Sequence, residues 1–142
     1  MFPSVREQRF NEMEYALPAE AGPACFAAIR ALVRDRFPDV QWPVEYRTLA
    51  ADDVWLSPAY GRPTVTISVH EDAARPYEAL FREAEAVFVA HDGRPHWGKV
   101  HWREAADLAP SFPHWEHFWR LRAETDPDGV FLNDHLRAVG GC

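Results

Sequence analysis

The sequence predicts an α+β fold, an antiparallel sheet with helices packed on one face, and three patterns carry that prediction. Residues 64–70, TVTISVH, alternate strictly, with Val65, Ile67 and Val69 on one side and Thr64, Thr66, Ser68 and His70 on the other. That is the period-two signature of a strand with a core behind it and polar groups in front. Two further stretches, 20–37 and 75–90, repeat apolar residues at three- and four-residue steps, so each lays one apolar stripe along a helix. The elements read β-α-β-β-α and then a helical C-terminal segment, an order that suits helices segregated to one face of an antiparallel sheet.

The first strand is FNEMEYAL at 10–17, where Phe10, Glu12, Glu14 and Ala16 oppose Asn11, Met13, Tyr15 and Leu17 in an imperfect alternation closed by Pro18. In the helix from 20 to 37, Ala24, Cys25, Ala28, Ile29, Leu32, Val33 and Phe37 share a face; Pro23 suits its first turn and Pro38 stops it. Residues 42–49, WPVEYRTL, alternate again and put Glu45, Arg47 and Leu49 opposite Val44, Tyr46 and Thr48. The connection AADDVWLSPAYGRP at 50–63 is turn chemistry, but its Val54, Trp55 and Leu56 are expected to be buried. The second helix turns Tyr77, Leu80, Phe81, Ala84, Val87 and Phe88 inward and ends at Asp92-Gly93. Beyond it come a helical turn near 104–108, helical spacing of Trp115, Phe118, Trp119 and Arg122, and a turn at Asp126-Pro127-Asp128-Gly129.

The 142 residues are expected to form a single domain, and 47% apolar content supplies a core and excludes disorder. A formal charge of -7, with no clustered Lys/Arg stripe, argues against nucleic acid or an anionic membrane surface as partner. No stretch approaches a membrane span, and residues 1–10 lack an apolar signal core. Cys25 and Cys142 form no disulfide framework, so a cytoplasmic location is expected. Fourteen of the fifteen cations are arginine, which leaves Lys99 as the one place where a compact ammonium was kept.

Glu45 and Arg47, two apart on a strand, share a face and either form an ordinary ion pair or converge on a third group. Thr66, Ser68 and His70 on a neighbouring strand could complete a hydrogen-bonding platform for a polyhydroxylated ligand, or could simply face solvent. In His96-Trp97-Gly98-Lys99, Gly98 permits close backbone approach, and a partly desolvated Lys99 could stabilise a developing anion. The seven histidines match no zinc-hydrolase spacing, and no metal is expected. Ser57 and Cys25 lack the context of a nucleophile.

Four segments together carry a resemblance: RFNEMEYALP at 9–18, VEYRTLAADDVWLSPAYGRPTVTISVH at 44–70, GRPHWGKVH at 93–101 and DPDGVFLNDHL at 126–136. In this order they resemble the C-terminal domain of the sugar-1,4-lactone and alditol (xylitol) oxidases, flavoenzymes of the vanillyl-alcohol-oxidase type. The resemblance implies hydride transfer from a carbinol of a polyol or aldonolactone to FAD, with oxygen reoxidising the flavin to give hydrogen peroxide. It also implies that Glu45 and Arg47 line the substrate site, that His70 faces the substrate, and that Lys99 lies by both flavin and substrate. Catalytic roles are therefore expected of Glu45, Arg47, His70 and Lys99, substrate binding of Thr66, Ser68 and His96, and flavin contact of Trp97, Gly98 and Lys99. His70 is a candidate acceptor for the hydroxyl proton. Nothing in the chain corresponds to the family's N-terminal FAD-binding domain, and no Gly-rich phosphate loop is present. Turnover is thus expected only with a flavin-binding domain or subunit supplied by another chain, with self-association in its absence. The rival reading is a non-catalytic binding or protein-interaction module that keeps the oxidase scaffold.

Overall fold

In the computed structural model, which describes residues 8–141, two long strands form the centre of the sheet. Residues 1–7 and Cys142, on which the readings of the amino terminus and of the cysteine pair rest, lie outside the described residues. Strand β1 (Phe10–Pro18) pairs with β3 (Thr64–Asp72) antiparallel over its whole length, from Phe10 opposite Asp72 to Pro18 opposite Thr64. Strand β2 (Glu45–Leu49) adds to the outer edge of β3, and the short β4 (Arg94–Pro95) to the outer edge of β1, giving the order β2-β3-β1-β4.

Helices α1 (Gly22–Arg36) and α2 (Glu78–Val89) cover one face. Because strand side chains alternate, Met13, Tyr15, Leu17, Val65, Ile67 and Val69 all point to that face, where they are buried with Cys25, Ile29, Leu80, Phe81, Ala84 and Phe88. A second core of Leu108, Phe112, Trp115 and Val139 knits together α3 (Ala105–Leu108), α4 (Trp115–Thr125) and α5 (Asp134–Gly140), with Trp97, Trp119 and Leu56 packed on it. The expected α+β class and β-α-β-β-α order hold. Among the described residues no helix is long and apolar enough to cross a membrane.

Besides the added edge strand β4, four details differ from expectation. Strand β2 starts at Glu45 rather than residue 42, since Pro43 has no N–H to give to a ladder. Helix α2 starts at Glu78 rather than 75, because Pro76 disfavours helical backbone in the residue before it. Of the three connection residues expected inside, Leu56 joins the second core, but Val54 is 63% and Trp55 38% exposed. The connection is held instead by its own polar groups: the Asp52 carboxylate accepts from the Val54 N–H at 3.1 Å and the Ser57 hydroxyl at 2.5 Å. Helix α5 was not anticipated; the Asn133 side chain caps it by accepting from the Leu136 N–H, and Gly141 at φ 71° ends it.

Candidate functional site

The sheet face away from α1 and α2 carries the polar residues of three strands, and register sets them side by side. Glu14 lies opposite Ser68 and Glu12 opposite His70 on one side of β3; Glu45 lies opposite Ser68 and Arg47 opposite Thr66 on the other. Thr66, Ser68 and His70 are buried rather than facing solvent, because charged side chains cover them.

Lys99 reaches this face by a local backbone device. After β4 the chain continues along the edge of β1, where the N–H groups of His96 and Val100 donate to the carbonyls of Glu14 and Glu12, each at 2.9 Å. Between these anchors a turn, closed by the Lys99 N–H on the His96 carbonyl at 3.0 Å, lifts Lys99 over the sheet. A Cβ on Gly98 would stand 3.3 Å from the His96 ring, whose Nδ1 accepts from the Gly98 N–H at 3.1 Å. A side chain at 98 would therefore press on the His96 ring that caps the turn.

The Lys99 ammonium donates to Glu12 Oε1 at 2.5 Å and to Glu14 Oε2 at 3.0 Å. Glu14 Oε2 also accepts from Ser68 Oγ at 2.8 Å and from Arg47 Nη1 at 3.2 Å, and Arg47 Nη2 pairs with Glu45. Burial alone would raise the Glu14 pKa. The Lys99 and Ser68 hydrogen bonds, with the charges of Lys99 and His96, outweigh it and bring the carboxyl below its ordinary value of 4.5. His70 is held between two oxygen acceptors, with Nδ1 3.2 Å from the Pro43 carbonyl and Nε2 3.3 Å from Glu12 Oε1, under the rings of Phe10 and Trp42.

One oxygen or nitrogen each of Glu12, Glu45 and His70 lie within 4.8 Å of one another, a spacing a metal ion could use. Lys99 and Arg47 already neutralise those two carboxylates, however, so a cation would have to displace them. Two of the three ammonium protons of Lys99 are committed to carboxylates, which leaves one for a ligand oxygen. A shallow cleft of about 330 Å³ opens beside it, lined by Phe10, Asn11, Glu12, Gly98 and Val100. The arrangement offers hydrogen-bond donors held in fixed positions to an oxygen-rich ligand.

The structure thus brings Glu45, Arg47, Ser68, His70 and Lys99 into one network, with Thr66 beside it. The His96 backbone belongs to the network's frame, and its ring caps its own turn. Trp97 is turned away into the second core, with its ring 5.7 Å from that of Trp115 and 5.9 Å from that of Phe112. Glu12 and Glu14 were missed. Their signal was the acidic side of the alternation in β1, which gains meaning only once the 96–100 segment is known to return to that strand.

A family model described as D-arabinono-1,4-lactone oxidase matches residues 1–139. The chain is 45% identical over 141 residues to an L-gulono-1,4-lactone dehydrogenase of Mycobacterium tuberculosis, covering 99% of this chain and 33% of that protein. It is 40% identical over 130 residues to an alditol oxidase of a Streptomyces species, covering 89% and 30%. To an L-gulonolactone oxidase of Scyliorhinus torazame it is 33% identical over 131 residues, covering 87% and 29%. The chain spans about a third of the length of the curated relatives it matches.

Proposed function

Because the chain belongs to the D-arabinono-1,4-lactone oxidase family, we propose that it is the substrate-side part of an FAD-dependent enzyme that oxidises a carbinol of a sugar lactone or alditol, and that it works together with a flavin-binding domain or subunit. The observation that carries this reading is the Lys99-Glu14-Arg47-Glu45 network, strung across three strands and the turn after β4 beside buried hydroxyl and imidazole groups. FAD, when bound, supplies the acceptor for the hydride. The donor set fits the redox end of such a group: Lys99, through the proton not given to Glu12 or Glu14, would hold it, and an ammonium already clamped in place need not reorganise to do so. Arg47, exposed over half of its side chain, orients substrate hydroxyls from the open edge, with Glu45 fixing its direction. His70 lies in the floor with Nε2 toward Glu12 Oε1, so as candidate holder of the hydroxyl proton it acts through that carboxylate.

The partner's seat is the apolar groove of about 520 Å³ formed by Trp97, Phe118, Trp119, Leu121, Phe131 and Leu132. Relatives about three times as long support a further body in the working enzyme, and the exposed apolar lining of the groove supports its seat there.

The test is coexpression with a flavin-binding domain, then assay of the purified complex with xylitol, sorbitol and L-gulono-1,4-lactone. Both peroxide and reduction of an artificial acceptor are read, because one relative is named a dehydrogenase and another an oxidase. A yellow complex that turns over, and that loses at least about a hundredfold in kcat with Lys99→Met, supports the proposal. Colourless, inactive protein in every pairing favours the non-catalytic binding module instead.

A further inference from the structure

Arg62 and Arg94 meet near the Pro18 end of β1, away from Lys99, and neither is placed as a salt-bridged arginine would be. Arg94 is 8% exposed and donates through Nη1 to the carbonyls of Pro58 at 3.2 Å and Tyr60 at 3.1 Å, with its guanidinium 5.2 Å from the centre of the Phe112 ring. Arg62, half-buried, donates through Nη2 to the carbonyls of Ala16 at 3.3 Å and Asp92 at 3.0 Å. Among the described residues neither guanidinium has a carboxylate within ion-pair distance, and both Nε atoms are buried without an acceptor. In a chain with 22 carboxylates and 15 cations, two neighbouring unpaired guanidiniums are conspicuous. Burying charge without a counter-charge costs free energy, and an arriving anion removes that cost. Burial lowers both pKa values, and for Arg94 the adjacent Arg62 lowers it further, to about 10; Asp92 and Glu20 near Arg62, and Asp52 near Arg94, only partly offset this.

Both arginines line one cleft of about 440 Å³, together with Arg103, Ser111 and a single acidic residue, Asp92. Arg103 lines the cleft while Asp107 sits 3.4 Å from its Nη2. We propose that this cleft is an oxyanion site, in which Arg62, Arg94 and Arg103 with the Ser111 hydroxyl bind a phosphoryl or carboxylate group. It stands apart from the Lys99 network and does not depend on the oxidase reading.

The experiment titrates the full chain with inorganic phosphate, and in parallel with sodium acetate, against sodium chloride at matched ionic strength. Thermal unfolding and amide NMR shifts of Gly93 and Ser111 are followed. A saturable rise in Tm with phosphate, accompanied by those shifts, is expected. Arg62→Gln and Arg103→Gln should each weaken phosphate binding about tenfold, and the exposed Arg30→Gln should leave it unchanged. Arg94 also anchors the 58–60 carbonyls, so the test does not rely on replacing it. A response to phosphate alone assigns a phosphoryl ligand, and a response to acetate as well assigns a carboxylate; both uphold the site. Chloride giving the same Tm rise, or an Arg62→Gln/Arg103→Gln double variant that keeps full phosphate affinity, overturns it.

Discussion

Glu14 gathers three donors on a single oxygen, since Arg47, Ser68 and Lys99 all bond to Oε2. The network therefore fails most directly at this side chain. Glu14→Gln keeps the shape but removes the charge that holds Lys99 and Arg47 together, and should destabilise the fold by about 2 kcal/mol in denaturant unfolding. A Glu14→Gln protein as stable as the parent would show that the charge on this side chain carries no net energy. The pH dependence follows from the direction of its shift. A carboxyl whose folded pKa lies below its unfolded value contributes stability that is complete above about 4.5 and is lost as pH falls through the folded pKa. Acid unfolding of the parent should accordingly show a loss of stability below pH 4.5 that Glu14→Gln lacks. The importance of this residue was not legible from 142 letters. Glu-Met-Glu on a strand is an ordinary solvated edge until a lysine 85 positions later is folded back over it.

At the scale of elements, the period-two and helical patterns gave β1, β3, α1 and α2 because each has a continuous core face, and a core face is what periodicity records. Helix α5 has only seven residues and one buried side chain, Val139, too little for any period to show. Its position depends on contact geometry: a Cβ on Gly140 would fall 2.3 Å from the Trp119 ring of α4. Gly140→Ala should therefore push α5 off its seat at a cost of about 1 to 3 kcal/mol, seen as faster amide exchange in 134–140. The same region should be sensitive to mild acid. Burial, the neighbouring His135 and Arg103 hold the His101 pKa below 6.5 against the opposing pull of Glu85 and a backbone hydrogen bond. Since the folded chain resists a proton that the unfolded chain accepts, stability falls as pH drops below 6.5 toward the folded value. Protection factors in α5, which correct for the intrinsic slowing of exchange in acid, should fall over that window, and His101→Gln should remove the effect.

At the scale of the whole molecule, the two most exposed large apolar side chains among the described residues, Phe131 at 83% and Val130 at 75%, lie in the C-terminal segment with Leu121 at 54%. Surface of this kind associates with whatever fits it. In sedimentation the chain alone should form concentration-dependent oligomers, Phe131→Ser with Leu121→Ser should shift it toward monomer, and the same pair should weaken capture of a flavin-binding domain. Monomeric parent protein at high concentration would remove the groove from consideration as a docking surface. The lone lysine, clamped over the sheet, has a practical consequence as well. Reductive methylation with isotope-enriched formaldehyde marks a single side chain besides the amino terminus, and that mark sits beside the cleft where a sugar would arrive. Its resonance is thus a built-in reporter of ligand entry that needs no turnover, no colour and no engineered cysteine.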